Sequence, residues 1–265
     1  MVNVEFKKRD VMISWSGGLD STLVLLKAIE KLNKGELDSI LLTYFDIVVL
    51  NKNKKEKEKY TRMRVLKKLK ELGIINDDID SKIYSALIYV DHLSERENDI
   101  EKYLKYSNER IAPQPFLWIT NSLPYVDDRY ELIYSHLGDD SYSMDKDYIP
   151  NLYKMIESTN KVMGKDFIMS LPLLKYTKDE IIKEYFENDK YLKILPLLSF
   201  CESPDDSNKS CGMCECCTKM IKTLIINNYG DKFIDILDGD EEVFSSFLKL
   251  NIKKYEEVKN KNDWF

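Results

Sequence analysis

Short apolar runs alternate along residues 10–187 with longer segments whose apolar positions recur every three or four residues. The short runs have the length and composition of buried strands, and the longer segments have the periodicity of amphipathic helices. Alternation of this kind predicts a parallel sheet that is covered by helices. We therefore expect the α/β class, with a doubly wound, mostly parallel sheet of five strands at 10–14, 39–45, 82–90, 130–135 and 167–169.

The pattern also predicts where the helices lie and where the chain changes character. Helices are predicted at 19–32, 54–72, 100–106, 116–126, 147–163 and 177–186, with two more near 215–226 and 241–258. Thr177 and Glu180 have the spacing of a capping box, in which each side chain accepts a hydrogen bond from the other residue's backbone N–H. A cysteine cluster follows residue 190, so we expect an α/β domain over 1–190 and a helical, cysteine-bearing segment over 191–265.

Composition excludes some classes of protein. Hydrophobic residues make up 43% of the chain and charged residues 32%, which is ordinary for a globular protein. The net charge of −6 argues against nucleic acid as the main ligand, because proteins that bind its backbone usually carry a basic balance or face. The N-terminus has no apolar core of a secretion signal, and no stretch approaches the ~18 apolar residues of a membrane span. We expect a cytoplasmic protein that does not contact a membrane.

A candidate nucleotide loop, Ser-Gly-Gly-Leu-Asp-Ser at 16–21, lies between the first predicted strand and the first predicted helix. Two glycines let the backbone approach a ligand closely, and the helix N-terminus directs positive charge at a phosphate. Asp20 is expected to orient the loop or hold Mg²⁺, and Asp20 and Ser21 are the candidate catalytic residues. The Walker pattern and its lysine are absent. This favours a loop that binds the pyrophosphate group of ATP over a loop that serves transfer of the γ-phosphoryl group. The candidate residues for binding ATP are Ser14, Ser16, Gly17, Gly18, Leu19, Asp20, Ser21 and Thr22.

In this strand–loop–helix frame the hexapeptide resembles the PP-loop of the N-type ATP pyrophosphatases. The resemblance implies a fold like that of the adenine nucleotide alpha hydrolases. It also implies cleavage of ATP between its α and β phosphates, with an adenylate of the substrate as intermediate. Relatives include amide-forming synthetases, lysidine synthetase and tRNA thiolases, and the loop alone does not choose among them.

All five cysteines lie between residues 201 and 217. In a reducing cytosol such a cluster indicates a metal site rather than disulfides. Cys201, Cys211, Cys214 and Cys217 can supply four thiolates to a tetrahedral Zn²⁺, with Cys216 as the alternative to Cys217. Four sulfur ligands leave no position for water, so we expect a structural zinc site. An iron–sulfur cluster and thiol redox chemistry are the alternatives.

The loop and the cysteines together resemble the 7-cyano-7-deazaguanine synthases, the QueC family, from residue 14 to residue 219. Segment 171–182 also resembles the Pro-Leu…Thr-Lys-x-Glu-Ile-Ile segment of that family. The resemblance implies an ATP-dependent ligase that adenylates the carboxylate of 7-carboxy-7-deazaguanine, after which ammonia gives an amide and then a nitrile. Resemblance to QueC-like proteins of CBASS-type antiphage defence implies a partner-protein amine as the other acceptor. Family resemblance also suggests a homodimer.

Two segments depart from the family pattern, at 45–49 and 113–116, where base contacts are expected. Because of these departures, the sequence does not decide whether ammonia or a partner-protein amine accepts the activated acyl group. A tRNA-modifying PP-loop enzyme and a non-catalytic zinc-bearing interaction module are the rival functions.

Residues 135–142 follow the fourth predicted strand, and ligands of open parallel sheets bind beyond the strand ends. We expect His136 to contact a base or accept a proton, and Asp139 or Asp140 to accept hydrogen bonds from a guanine-like edge. A turn over 138–140 is the alternative interpretation. The basic segment 52–70 is interpreted as a solvated helix face, with Arg62 as a candidate phosphate contact.

Overall fold

The computed structural model describes residues 2–47, 52–90, 118–120, 122–125, 127–140, 143–201, 204, 214–237 and 257. Several sequence predictions lie outside the described residues: the helix at 100–106, most of the helix at 241–258, most of the two divergent segments, and Cys211.

The described part of the chain forms one five-stranded sheet in which every pairing is parallel. The strand order is β3-β2-β1-β4-β5, so the chain begins in the middle of the sheet and winds outward in both directions. This arrangement confirms the predicted doubly wound sheet. The strands are β1 Asp10–Ser14, β2 Ser39–Ile47, β3 Ile83–Val90, β4 Tyr130–Ile133 and β5 Ile168–Ser170.

Most helices agree with the periodicity of the sequence. Three short helices, α3, α6 and α8, are absent from the sequence-based prediction because four to eight residues show too little periodicity. None of the helices in the described residues is long and apolar enough to cross a membrane. The helices are α1 Leu19–Asn33, α2 Lys52–Glu71, α3 Asp77–Asp80, α4 Tyr148–Met163, α5 Lys178–Glu187, α6 Asp189–Leu192, α7 Glu215–Ile226 and α8 Gly230–Leu237.

The predicted helix at 116–126 is the clearest local difference. Residues 118–120 and 122 are helical, but Leu123–Tyr125 form a 3-10 turn. Pro124 lies in the middle of this turn, and its ring nitrogen has no hydrogen to donate to an α-helical ladder. The α-helix therefore ends just before the segment that leads into β4.

Apolar residues pack on both faces of the sheet. Val11 and Ile13 of β1 belong to a buried cluster with α1 and α5, whereas Met12 belongs to a second cluster with α4. Alternate residues of a strand point to opposite faces, so one short strand joins both clusters. Leu23 and Leu26 of α1 are fully buried, which anchors this helix and the loop before it against the sheet.

The C-terminal part of the chain shares the first of these clusters. Cys201, Cys217 and Met220 are buried among the same residues that cover α1. The Phe186 ring stacks on Tyr229 with centroids 4.2 Å apart, so α5 contacts the residue directly before α8. The described C-terminal helices thus share the core of the sheet domain, with α7 packed on α5 and α8 packed on α7, while the division at residue 190 stays a prediction.

Candidate active site

The loop between β1 and α1 depends on both of its glycines. Gly17 has φ +83°, a left-handed conformation that side chains with a Cβ rarely adopt. A Cβ at Gly17 would lie 3.1 Å from Thr61 Cγ2, and one at Gly18 would lie 3.2 Å from the Ser199 carbonyl oxygen. Gly18 is also the N-cap residue of α1. The backbone therefore turns tightly between α2 on one side and the cysteine segment on the other.

Hydroxyl groups of the loop hydrogen-bond to one another and to its backbone. Ser16 Oγ lies 3.2 Å from Ser21 Oγ and accepts a hydrogen bond of 3.2 Å from the Gly18 N–H. Ser21 Oγ donates to the Gly18 carbonyl oxygen at 3.4 Å. Both serines face a cavity of about 330 Å³, as do Ser14, Gly18, Leu19 and Asp20.

Thr22 has a different environment from the rest of the predicted ATP site. It is fully buried, and its Oγ1 accepts a hydrogen bond of 3.0 Å from Trp15 Nε1. Thr22 and Gly17 are not among the residues that line the cavity. Thr22 instead contacts the buried Trp15 ring, and Gly17 lies next to Thr61 of α2.

The cavity lies beyond the carboxyl ends of β1 and β4, where the strand order reverses and ligands of open α/β sheets bind. Its other walls come from α2, from the segments before and after β4, from α5 and from the cysteine segment. The side chains that these elements bring to the cavity include Lys54, Glu58, Trp118, Tyr134, His136, Asp140, Lys178, Cys201, Cys216 and Lys219.

Asp20 makes an ion pair across the cavity that the sequence did not reveal. Lys178 Nζ lies 2.8 Å from Asp20 Oδ1 and 2.6 Å from Oδ2. The two side chains are only 23% and 18% exposed. Burial raises the pKa of Asp20, and Lys178 offsets part of that rise. Burial opposes the charge on Lys178, but the attraction of Asp20 outweighs it and the pKa of Lys178 is raised.

Lys178 is the first residue of α5 and lies inside the predicted capping box, directly after the N-cap residue Thr177. Thr177 and Glu180 make both reciprocal hydrogen bonds, so the box is present as predicted. The capping pattern marked where the helix begins, but nothing local marked the lysine as a cavity residue. Its contact with Asp20 joins residues 158 positions apart.

The predicted substrate carboxylates accept backbone hydrogen bonds. Both oxygens of Asp139 accept from the Lys178 N–H, at 3.1 Å and 3.2 Å, and Asp140 Oδ2 accepts from the Leu137 N–H at 3.0 Å. The Asp140 contact is local and agrees with the turn interpretation, as does the 3.4 Å hydrogen bond from the Asp140 N–H to the Leu137 carbonyl oxygen, whereas the Asp139 contact joins distant segments. Asp140 also lines the cavity, whereas Asp139 is not among the lining residues. A role for either carboxylate in base recognition stays a prediction.

His136 is 4% exposed and lines the cavity next to Tyr134. Its ring stacks on Tyr148, with centroids 6.2 Å apart and an interplanar angle of 25°. Burial lowers the pKa of His136 to about 4, so the imidazole is neutral at pH 7. Its Nε2 has no hydrogen-bond partner among the described residues.

Arg62 lies behind the loop rather than in this cavity. Its guanidinium carbon is 3.5 Å from the centroid of the Tyr44 ring, and Tyr44 donates a 2.8 Å hydrogen bond to Glu58. Arg62 lines a neighbouring cavity with Trp15 and Thr43.

Three of the four predicted metal ligands come together. The sulfur atoms of Cys201, Cys214 and Cys217 all lie within 4.8 Å of one another. Cys217, rather than Cys216, belongs to this group. Contacts with the Cys201 thiol and burial raise the pKa of Cys217 far above its ordinary value, so a deprotonated cluster needs a compensating cation.

The segment that carries the cysteines also contacts the loop at 16–21. Cys201 and Cys216 line the cavity, and the Ser199 N–H donates to the Gly17 carbonyl oxygen at 3.1 Å. The cysteine segment therefore braces the nucleotide loop.

The model of the family described as queuosine biosynthesis protein QueC matches residues 10–227. The chain belongs to the QueC family. A comparison with curated proteins found no match. Among solved structures, the chain is similar to the U34-tRNA thiolase NcsA from Methanococcus maripaludis with its [4Fe-4S] cluster. That similarity has 16% identity and a TM-score of 0.44, and covers 96% of this chain and 74% of that one.

Membership of the QueC family makes the chain an ATP-using enzyme of the PP-loop superfamily, of a kind that modifies deazaguanines or nucleotides. The matched region extends from the first residue of β1 to the end of α7, so it contains the loop, the cavity and the cysteine group. In this QueC-family chain, sequence reasoning missed Lys178 and Trp118. Lys178 is the lysine of the Thr-Lys-x-Glu-Ile-Ile segment, but that resemblance gave it no role in the site, and Trp118 lies in no recognisable pattern; the tertiary structure brings both to the cavity.

Proposed function

We propose that this QueC-family chain is an ATP-dependent amide-forming ligase that adenylates the carboxylate of 7-carboxy-7-deazaguanine. One observation carries the proposal. The PP-loop, the Asp20–Lys178 pair and the aromatic end of β4 all line a single cavity of about 330 Å³. This supports the proposal, because the phosphates of ATP at the loop and a planar acid in the same cavity would lie within reach of each other.

The loop end of the cavity suits the phosphates. Backbone N–H groups at the start of α1 and the hydroxyls of Ser16 and Ser21 can donate to phosphate oxygens. Asp20 would hold the Mg²⁺ that accompanies ATP, because a cavity-lining carboxylate is a ligand that Mg²⁺ prefers. That ion supplies charge neutralisation to the pyrophosphate. Lys178 would then be released from Asp20 and could donate to a phosphate oxygen.

The reaction takes place in two displacements. A carboxylate oxygen of the substrate attacks the α-phosphorus, and the bond to pyrophosphate breaks. The amine nitrogen then attacks the acyl carbon, loses a proton, and AMP departs. The fixed loop donors stabilise the charge that develops on the departing pyrophosphate. The partly enclosed cavity protects the acyl adenylate from water. Ammonia and a partner-protein amine are the two candidate acceptors.

The cysteine group would hold a structural Zn²⁺. Three sulfur atoms within 4.8 Å of one another fit a single tetrahedral ion, whereas each cysteine of a [4Fe–4S] cluster binds a different iron. The ion would fix the cysteine segment, which in turn contacts the loop through Ser199 and Gly17. Its contribution is therefore to stability and loop position.

The test is to incubate the purified protein with Mg²⁺, ATP and 7-carboxy-7-deazaguanine, with ammonia in one arm and candidate partner proteins in the other. We expect AMP and pyrophosphate to form only when the deazaguanine acid is present. Mass spectrometry should show an amide, a nitrile or a deazaguanine-modified protein. The Asp20→Ala variant should lose ATP binding in calorimetry. If the wild type forms neither AMP nor any of these products, the proposed function is wrong, and ATP binding without turnover would favour a non-catalytic module.

A further inference from the structure

We infer that Trp118 and His136 form the subsite of this cavity that binds a planar heteroaromatic ring with a hydrogen-bond acceptor on its edge. The inference deepens the proposed function and rests on it. It assigns the residues that bind the part of the substrate that does not react.

Both residues present a shielded nitrogen without a partner. Trp118 Nε1 and His136 Nε2 are inaccessible to solvent and make no hydrogen bond among the described residues. Both side chains line the cavity. The great majority of buried polar groups in proteins are paired. Two unpaired nitrogens on side chains that line the same cavity therefore point to a ligand that pairs with them.

The surrounding side chains hold this pair in place. Tyr134 OH lies 2.6 Å from Ser122 Oγ and donates to the Trp118 carbonyl oxygen at 3.2 Å. This contact fixes the backbone of Trp118 over the end of β4. His136 stacks on Tyr148 and meets the edge of the Tyr134 ring, with centroids 6.5 Å apart. Both nitrogens are thus carried by aromatic rings in fixed positions, which suits a flat, rigid ligand.

The chemistry of the two nitrogens defines the ligand. The indole N–H of Trp118 can only donate, so its partner is an acceptor such as a keto oxygen or an unprotonated ring nitrogen. A neutral imidazole has one donor and one acceptor nitrogen, so His136 can match either kind of atom on the neighbouring position. A fused heteroaromatic ring with a keto group meets both requirements.

Conservative variants test the subsite. Trp118→Phe keeps an aromatic wall and removes the N–H, and His136→Phe keeps a ring and removes both nitrogens. We expect each to raise KM for 7-carboxy-7-deazaguanine in AMP formation by about tenfold to a hundredfold, the value of one buried hydrogen bond. The affinity for ATP should change less than about twofold. Tyr125→Phe, at a side chain that is 60% exposed near the same segment, is the matched control and should behave as wild type.

A binding experiment without catalysis separates this inference from the proposed function. The probe is 7-deazaguanine, which lacks the reacting carboxylate, measured by calorimetry. We expect the wild type to bind it, Trp118→Phe and His136→Phe to bind it at least about tenfold more weakly, and His136→Gln, which retains a donor and an acceptor, to recover part of the affinity. Thermal unfolding checks that each variant is folded.

The outcomes are distinguishable. If the wild type produces AMP from the deazaguanine acid but both variants keep its KM and the probe affinity within about twofold, the subsite is wrong and the proposed function stands. If the wild type binds the probe, both variants bind it at least about tenfold more weakly, and no AMP forms with the acid, the proposed function fails and the subsite stands. A His136→Phe variant that does not fold leaves the decision to Trp118→Phe and His136→Gln.

Discussion

Replacing Lys178 with methionine removes the charge that Asp20 contacts and keeps a side chain of similar length. The ammonium lies 2.6 Å from one carboxylate oxygen and 2.8 Å from the other. In the variant the Asp20 carboxylate keeps its burial and the repulsion of Asp139 and Asp140, but loses this attraction.

The loss of stability can be bounded from the exposure of the pair. Removing one partner of a fully buried ion pair costs about 3–5 kcal/mol, and a fully exposed pair contributes about 0–1 kcal/mol. Asp20 is 23% exposed and Lys178 is 18% exposed, which places the pair nearer the buried limit. We therefore expect Lys178→Met to lower the free energy of unfolding at pH 7 by about 2–3 kcal/mol. A domain with an ordinary stability of about 5–15 kcal/mol would remain folded.

The pH dependence of this loss has a definite sign. Burial raises the pKa of Asp20 in the native protein, and loss of Lys178 raises it further. A carboxyl whose pKa is higher in the folded state contributes stability below its unfolded pKa, and that contribution disappears as the pH rises through the folded pKa. The difference in free energy of unfolding between the wild type and Lys178→Met should therefore be largest near neutral pH. It should shrink as the pH falls from about 7 to about 5.

Urea unfolding followed by circular dichroism, at both pH values, measures these free energies. Lys183→Met is the matched control on the same helix, because Lys183 pairs with Glu187 at 3.7 Å and both side chains are about half exposed. The control should lose less than about 0.5 kcal/mol. Equal losses in the two variants, or a deficit for Lys178→Met that does not change with pH, would refute the reasoning.

Three further predictions concern the loop, the metal site and the helix cap. Gly17→Ala should abolish ATP binding in calorimetry, because its Cβ would strain a φ of +83° and lie 3.1 Å from Thr61; retained affinity would contradict the loop geometry. Cys217→Ala should lose the bound metal measured by mass spectrometry, while Cys216→Ala keeps it, and the reverse result would make Cys216 the ligand. Thr177→Ala should lower the free energy of unfolding by about 1 kcal/mol through loss of the capping box, and Thr177→Ser should lose much less; equal stabilities in urea would show that the cap contributes nothing.

Local patterns in the sequence predicted much of the fold. The bounds of β1 and α7 agree with the prediction to the residue, and α1 extends only one residue further. Apolar periodicity, the glycines before α1 and the capping box before α5 all act over a few positions, so they are readable in a single sequence. The same holds for the cysteines, most of which are neighbours along the chain. Short helices such as α8 lacked enough periodicity to be found.

Contacts between distant segments decided the site. Asp139 or Asp140 was predicted to accept hydrogen bonds from a guanine-like edge, and the sequence did not show that the N-terminus of α5 lies against Asp139, which accepts the Lys178 N–H. The cysteine segment likewise lies beside the loop, where the Ser199 N–H donates to the carbonyl oxygen of Gly17, 182 positions earlier in the chain. Neither contact has a local signature.

The parallel α/β class, the loop at 16–21 and the cysteine cluster could be read from the sequence, because each rests on residues close together in the chain. The contact between Lys178 and Asp20, and the cavity that Trp118 and His136 line together, follow from the folded arrangement. A doubly wound sheet gathers the carboxyl ends of strands from distant parts of the chain at one edge. Which side chains meet there depends on strand order and helix packing, which no short stretch of sequence contains.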